Sequence, residues 1–187
     1  MKNRRDFLKT TALGGAAVIT GSLFKSGENQ KKANSISKPI LNSPLVISTW
    51  NHGLAANGPA WEILSHGGSA LDAVEAGVRL IESDPENSSV GIGGAPDREG
   101  NVSLDACIMD HKGNCGAVAA LEGIENPISV ARKVMEETPH VMLVGKGALE
   151  FAKSQGFEEK NLLTAKSKLK WEKWLKTSKY QPIINIE

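Results

Sequence analysis

Val102-Ser103-Leu104-Asp105-Ala106-Cys107-Ile108-Met109, then Asp110-His111-Lys112-Gly113-Asn114, then Gly116-Ala117-Val118-Ala119-Ala120-Leu121, is the stretch around which the chain orders itself. Two apolar runs of strand length flank residues that favour turns, the pattern of an antiparallel hairpin about Lys112-Gly113. If Cys107 stands opposite Ala117, Cys115 is its diagonal neighbour on the same face. Diagonal positions lie roughly 7 to 8 Å apart, beyond easy disulfide reach without a change of register. Two buried free thiols are the expected state, and a disulfide is the alternative.

Upstream, Pro44-Leu45-Val46-Ile47-Ser48-Thr49-Trp50 reads as a buried strand ending at Trp50, followed by a turn at Asn51-His52-Gly53. Pro59 is expected to open a helix carrying Trp61 and Leu64, and Gly67-Gly68 to close it. Ser69 then caps a second helix, in which Leu71, Val74, Val78 and Ile81 form one stripe. The segment Glu82 to Asp97 is dense in Ser, Asn, Gly and Pro, and loops of that length inside a compact domain are more often functional than idle.

Downstream, Asn126 and Pro127 supply an N-cap and first helical residue for a helix with Ile128, Ala131, Val134 and Met135 on its apolar face, and Pro139 ends it. Val141 to Val144 reads as another buried strand. Gly145-Lys146-Gly147 leads into a helix through Ala148, Leu149 and Ala152 that stops at Gly156. Thr164 caps a last helix carrying Leu169, Trp174 and Leu175, and the tail from Gln181 to Glu187 is extended. Strand, two helices, hairpin, then helices around a short strand predict an α/β chain with one sheet system covered by helices.

The 187 residues carry a formal net charge of +1, few aromatics and no basic stripe, so no nucleic-acid partner is expected. A small neutral or zwitterionic ligand fits better. Asn3-Arg4-Arg5-Asp6-Phe7-Leu8-Lys9 and the apolar run Thr10 to Phe24 read as a twin-arginine export signal over residues 1–25. That run is rich in small residues and shorter than the about 20 apolar residues of a membrane span, so no stable anchor is expected. Residues 26–43 are a polar linker, and the mature protein is expected to be periplasmic or secreted.

No complete catalytic set stands in the chain. His52, His66, His111 and His140 have no metal-ligand spacing, so no metal is expected. Val144-Gly145-Lys146-Gly147 lacks a phosphate-loop pattern and reads as a tight turn. Asp105 and Asp110 are close in sequence, yet Asp110 sits where a turn wants an aspartate. Two features stand out: Trp50, as core or as the wall of a pocket, and the loop Asn87-Ser88-Ser89-Val90-Gly91-Ile92-Gly93-Gly94-Ala95-Pro96-Asp97. Its glycines let backbone approach a ligand, and Ser88 or Ser89 has a hydroxyl for a small polar substrate.

Ser48-Thr49-Trp50-Asn51, Gly67 to Glu75, Ser89 to Asp97, Leu104-Asp105-Ala106, Asn126 to Arg132 and Thr138 to Gly145, all in the same order, resemble the α-subunit of the glycosylasparaginase family over roughly residues 44–187. The resemblance implies an N-terminal-nucleophile hydrolase with an αββα sandwich, incomplete in this chain, made as a precursor that cuts itself before a threonine. A terminal threonine carries hydroxyl nucleophile and amine base on one residue, so no histidine triad is needed. The implied reaction is hydrolysis of the amide between N-acetylglucosamine and asparagine, without a cofactor, in an (αβ)2 assembly with the β-subunit of the same precursor.

Trp50 matches a residue that shapes the family's substrate funnel, and Ser89 one near its active site. Relatives continue into a His-Asp-Thr motif where this sequence ends at Asn185-Ile186-Glu187, so the nucleophile is expected after Glu187 and the isolated chain is expected to be inactive. The alternatives are a plant-type asparaginase or isoaspartyl peptidase, whose members tend to carry His-Gly-Gly-Ala-Gly where this chain has Ser48-Thr49-Trp50-Asn51, and an inactive fragment serving as a subunit or binding partner.

Overall fold

The computed structural model describes residues 43–178. The expected export signal, the linker up to residue 42 and the tail from Gln181 lie outside the described residues. The hairpin is present: β1 (Ser103–Met109) pairs antiparallel with β2 (Cys115–Glu122), and β3 (Met142–Val144) lies parallel on the other side of β2. Asp110 closes the turn by accepting hydrogen bonds from the Lys112 and Asn114 amides at 2.8 and 2.9 Å. The register shifts at Asp105, whose Oδ1 accepts from the Ala120 amide at 2.7 Å, while Ala120 adopts a φ of 49°. Both aspartates thus serve the backbone.

Cys107 stands opposite Ala117 and Met109 opposite Cys115, the expected register, and both thiols are free. They are not buried as expected: Cys107 is exposed and Cys115 half-buried, because no element among the described residues covers the sheet face they share. Ile108, Gly116, Val118 and Leu143 point the other way, onto α3 (Pro127–Glu137) and α4 (Gly145–Ser154). With Leu121, Ile124, Val130, Val134, Ala148 and Ala152 they form the main core. α3 lies so close to β2 that a Cβ on Gly116 would stand 2.2 Å from the Ala131 carbonyl oxygen.

The first helical pair is α1 (Gly53–Ser65) and α2 (Ala70–Glu82). α1 begins six residues before Pro59, contrary to expectation. The Leu54-Ala55-Ala56 turn favours helix, and an internal proline forfeits only one ladder bond and some local fit. The helix ends as the sequence implied: Gly67, at φ 80°, donates to the Leu64 carbonyl and Gly68 to that of Ile63, closing a Schellman motif. Ser69 accepts from the Asp72 amide at 3.1 Å and caps α2. A Cβ on Gly77 would lie 2.7 Å from the Ala56 carbonyl oxygen, so glycine sets the approach of α2 to α1.

Two further expectations are corrected. Pro44 to Trp50 forms no strand among the described residues, bending at Thr49 and Trp50, and its apolar side chains are mostly exposed. β-branched residues favour extended backbone, but a strand also needs a ladder partner. β3 is a short edge strand, with Met142 and Val144 exposed and only Leu143 turned toward the core. α5 (Ala165–Thr177) is present as expected, with Thr164 accepting from the Ser167 amide as its cap, and its Leu169, Trp174 and Leu175 are exposed. The described residues contain one small mixed sheet with helices, the partial form of the αββα layering.

Candidate functional site

Two loops bring polar groups and backbone into concave surfaces. At the head of α1, the Trp50 indole is 71% exposed and stacks on His52, ring centroids 5.9 Å apart and planes 2° apart. Ser48 Oγ donates to Asn57 Oδ1 at 2.6 Å and ties the segment before α1 to the helix. A Cβ on Gly53 would collide with that of Ser48 at 2.3 Å, so the sharp entry beside Trp50 requires glycine. Trp50 is therefore no part of the described core.

The glycine-rich loop is held by its own backbone. The Ile92 amide donates to the Glu82 carbonyl at 2.8 Å, Gly93 to Leu162 at 2.8 Å, and Ala95 to Ser88 at 3.1 Å. Gly91 has a φ of 62°, and any Cβ there would lie 1.8 Å from the Glu82 carbonyl oxygen. Asn87 Oδ1 accepts from both the amide and the hydroxyl of Ser89, at 3.0 and 2.6 Å. The Ser89 hydroxyl has thus committed its proton and keeps lone pairs to accept with.

Beside this loop a cavity of about 350 Å³ opens against α5, lined among others by Ser88, Arg98, Lys170, Trp171 and Trp174. Ser88 lines it, whereas Trp50 and Ser89 do not. A Cβ on Gly100, at φ 94°, would lie 3.0 Å from the Trp171 ring, and the Trp171 indole N–H is buried without a partner among the described residues. Among the described residues no cluster of three or more His, Cys, Asp or Glu is placed to hold a metal.

Between α2 and α3 lies a polar seam the sequence reading missed. Arg132 reaches Asp72 and Glu75 on α2, each at 2.7 Å, and Glu136 at 2.8 Å. The Ser69 hydroxyl and Arg132 hold the Asp72 carboxyl below its usual range. Arg79 donates to Ser129 Oγ at 2.8 Å, and Ser129 donates to Glu75. Asn126, expected to cap α3, makes no cap bond; its Nδ2 donates to Ser83 Oγ at 3.0 Å. The Ile128 amide instead donates to Glu82 Oε1 at 3.1 Å. Glu82 is 2% exposed, and burial pushes its pKa up to about 7. One signal was legible: an acid in the last turn of a helix opposes the macrodipole and asks for a reason.

The model of the family described as asparaginase matches residues 42–186. The N(4)-(Beta-N-acetylglucosaminyl)-L-asparaginase of Elizabethkingia miricola is 59% identical over 185 residues, covering 99% of this chain and 53% of the relative. The proteins of the same name from Rattus norvegicus and Mus musculus are each 46% identical over 133 residues, 71% of this chain and 38% of their own length. The chain spans about half, or less, of the length of these relatives.

Proposed function

The chain belongs to the asparaginase family, and from that premise we propose that it is the amino-terminal part of an amidohydrolase that cleaves the N-acetylglucosamine–asparagine amide. The relatives' names supply the substrate. The observation that carries the reading is the one-sided sheet. Cys107, Met109, Met142 and Val144 share an apolar face, with Met109 67%, Met142 52% and Val144 56% exposed, while the opposite face is packed with helices. Such a patch belongs in an interface, and a second sheet from the remaining length of the longer relatives is the cover it suits.

In this reading the nucleophile is a threonine made N-terminal by self-cleavage beyond Glu187. Its amine takes the hydroxyl proton as Oγ attacks the amide carbonyl, the glycosylamine leaves with a proton, and water releases aspartate from the ester. No metal or other cofactor enters these steps. Trp50 walls the substrate funnel with its exposed indole, and Ser89 stands near the reacting bond with its lone pairs open. The two parts assemble as (αβ)2, and the twin-arginine signal places the enzyme in the periplasm or outside the cell.

The test is an assay of the full-length gene product on glycosylated asparagine, free asparagine and β-aspartyl dipeptides. Fastest turnover of glycosylated asparagine is expected; preference for either other substrate supports the plant-type reading, and no turnover of any overturns the proposal. Trp50→Ala is expected to raise KM on glycosylated asparagine with less change in kcat.

A further inference from the structure

Glu82 joins two helix ends through one residue. It is the last residue of α2, where carbonyls lack intrahelical partners, and its carbonyl accepts from Ile92 in the glycine-rich loop at 2.8 Å. Its side chain serves the reciprocal need at the start of α3, where amides lack partners, by accepting from Ile128 at 3.1 Å. Asn126 Nδ2 lies 3.4 Å from the other carboxyl oxygen and 3.0 Å from Ser83 Oγ, closing the junction. The contact with the loop has no slack, because even a Cβ on Gly91 would lie 1.8 Å from the Glu82 carbonyl oxygen.

We propose that Glu82 is a positioning residue for the glycine-rich loop, tethering it to the start of α3 so that the charge on one buried carboxyl sets the placement of the segment bearing Ser88 and Ser89. The charged form makes the stronger bond to a helix N-terminus, through both the macrodipole and the charge-assisted hydrogen bond. Burial opposes that form. From α2, Arg79 favours the charge and Glu75 disfavours it. On the approach to α3, Glu125 is paired with Lys160 at 2.8 Å. Neither Val90 to Gly94 in the loop nor Pro127 to Val130 in α3 carries a charged side chain. Burial outweighs the hydrogen bonds from Ile128 and Asn126 and the nearby Arg79, so the carboxyl titrates near neutrality, at about 7.

The role in catalysis rests on the reading of the loop as part of the hydrolase site, whereas the tether itself does not, so two readouts separate them. In the wild-type full-length protein, the backbone amide resonances of Ile92 and Ile128 are followed from pH 5 to 9. Both are expected to shift with one common midpoint near 7, and Glu82→Gln, which keeps the acceptor and loses the charge, is expected to abolish that step at both. Titration of Ile128 without Ile92, absence of the step in the wild type, or its persistence in the variant overturns the tether. On glycosylated asparagine, KM of the wild type is expected to change across the same pH range and that of Glu82→Gln to stay flat, with kcat changing little. Equal pH dependence of KM in both proteins overturns the positioning role even where the amides titrate together. If no substrate is turned over, the functional reading fails and the amide titration still decides the tether.

Discussion

The junction of α2, α3 and the glycine-rich loop and the outer face of the sheet are opposite cases of how this chain meets its own surface. At the junction, buried and half-buried polar groups find partners within the chain: buried Glu82 takes the Ile128 amide, half-buried Arg132 spans three carboxylates, and buried Ser129 lies between Arg79 and Glu75. On the sheet face, Met109, Met142, Val144 and Cys107 meet nothing among the described residues that covers them. Unsatisfied buried polar groups are costly, whereas exposed apolar groups cost little until a partner arrives. The difference marks which surface the described residues complete and which they leave for another segment.

Substitutions sharpen this contrast in descending order. Leu121→Ala, at a fully buried position on the helix-covered side, is expected to cost about 4 kcal/mol in denaturant unfolding. Gly116→Ala, which drives a Cβ against the Ala131 carbonyl, is expected to cost about 3 kcal/mol. The pH dependence of Glu82 comes next. Its folded pKa of about 7 lies above the ordinary glutamate value of 4.5, so the folded state holds the proton more tightly. Stability from this group is full below about 4.5 and falls by roughly 3 kcal/mol as pH rises to 7, with no further change above. Glu82→Gln flattens that segment of the curve. The lowered pKa of Asp72 works in the opposite sense at lower pH, where its protonation weakens the fold.

Smaller effects complete the series. Ser69→Ala removes the cap of α2 and is expected to lower stability by about 1 kcal/mol. Met142→Ser on the uncovered face is expected to change the stability of this chain by about 0.5 kcal/mol or less. In the full-length protein the same change is expected to cost several times more. Equal cost in both would break the contrast between the two regions.

The hairpin was legible because alternation and a turn are local signals, and so were the caps at Ser69 and Thr164 and the glycine stop at Gly67. Pro44 to Trp50 misled because its composition reports extended backbone and says nothing about a pairing partner. Val141 to Val144 misled because an apolar run does not distinguish a central strand from an edge. At the site, the glycine-rich loop stood out by composition, but the cavity wall formed by Lys170, Trp171 and Trp174 did not, since those residues lie some 70 positions or more away from it. Asn126 had the right type for a cap, and tertiary contact with Ser83 redirected it.

By itself the sequence determined the hairpin and its register, the glycine stop of α1, the caps of α2 and α5 and the family, because each rests on neighbours a few residues apart or on motifs in fixed order. Tertiary structure alone decided which sheet face is covered, which residue caps α3, and that a carboxyl at the end of α2 is buried with its pKa near neutrality. Burial and desolvation depend on what the chain brings back from distant positions, and no local pattern encodes that.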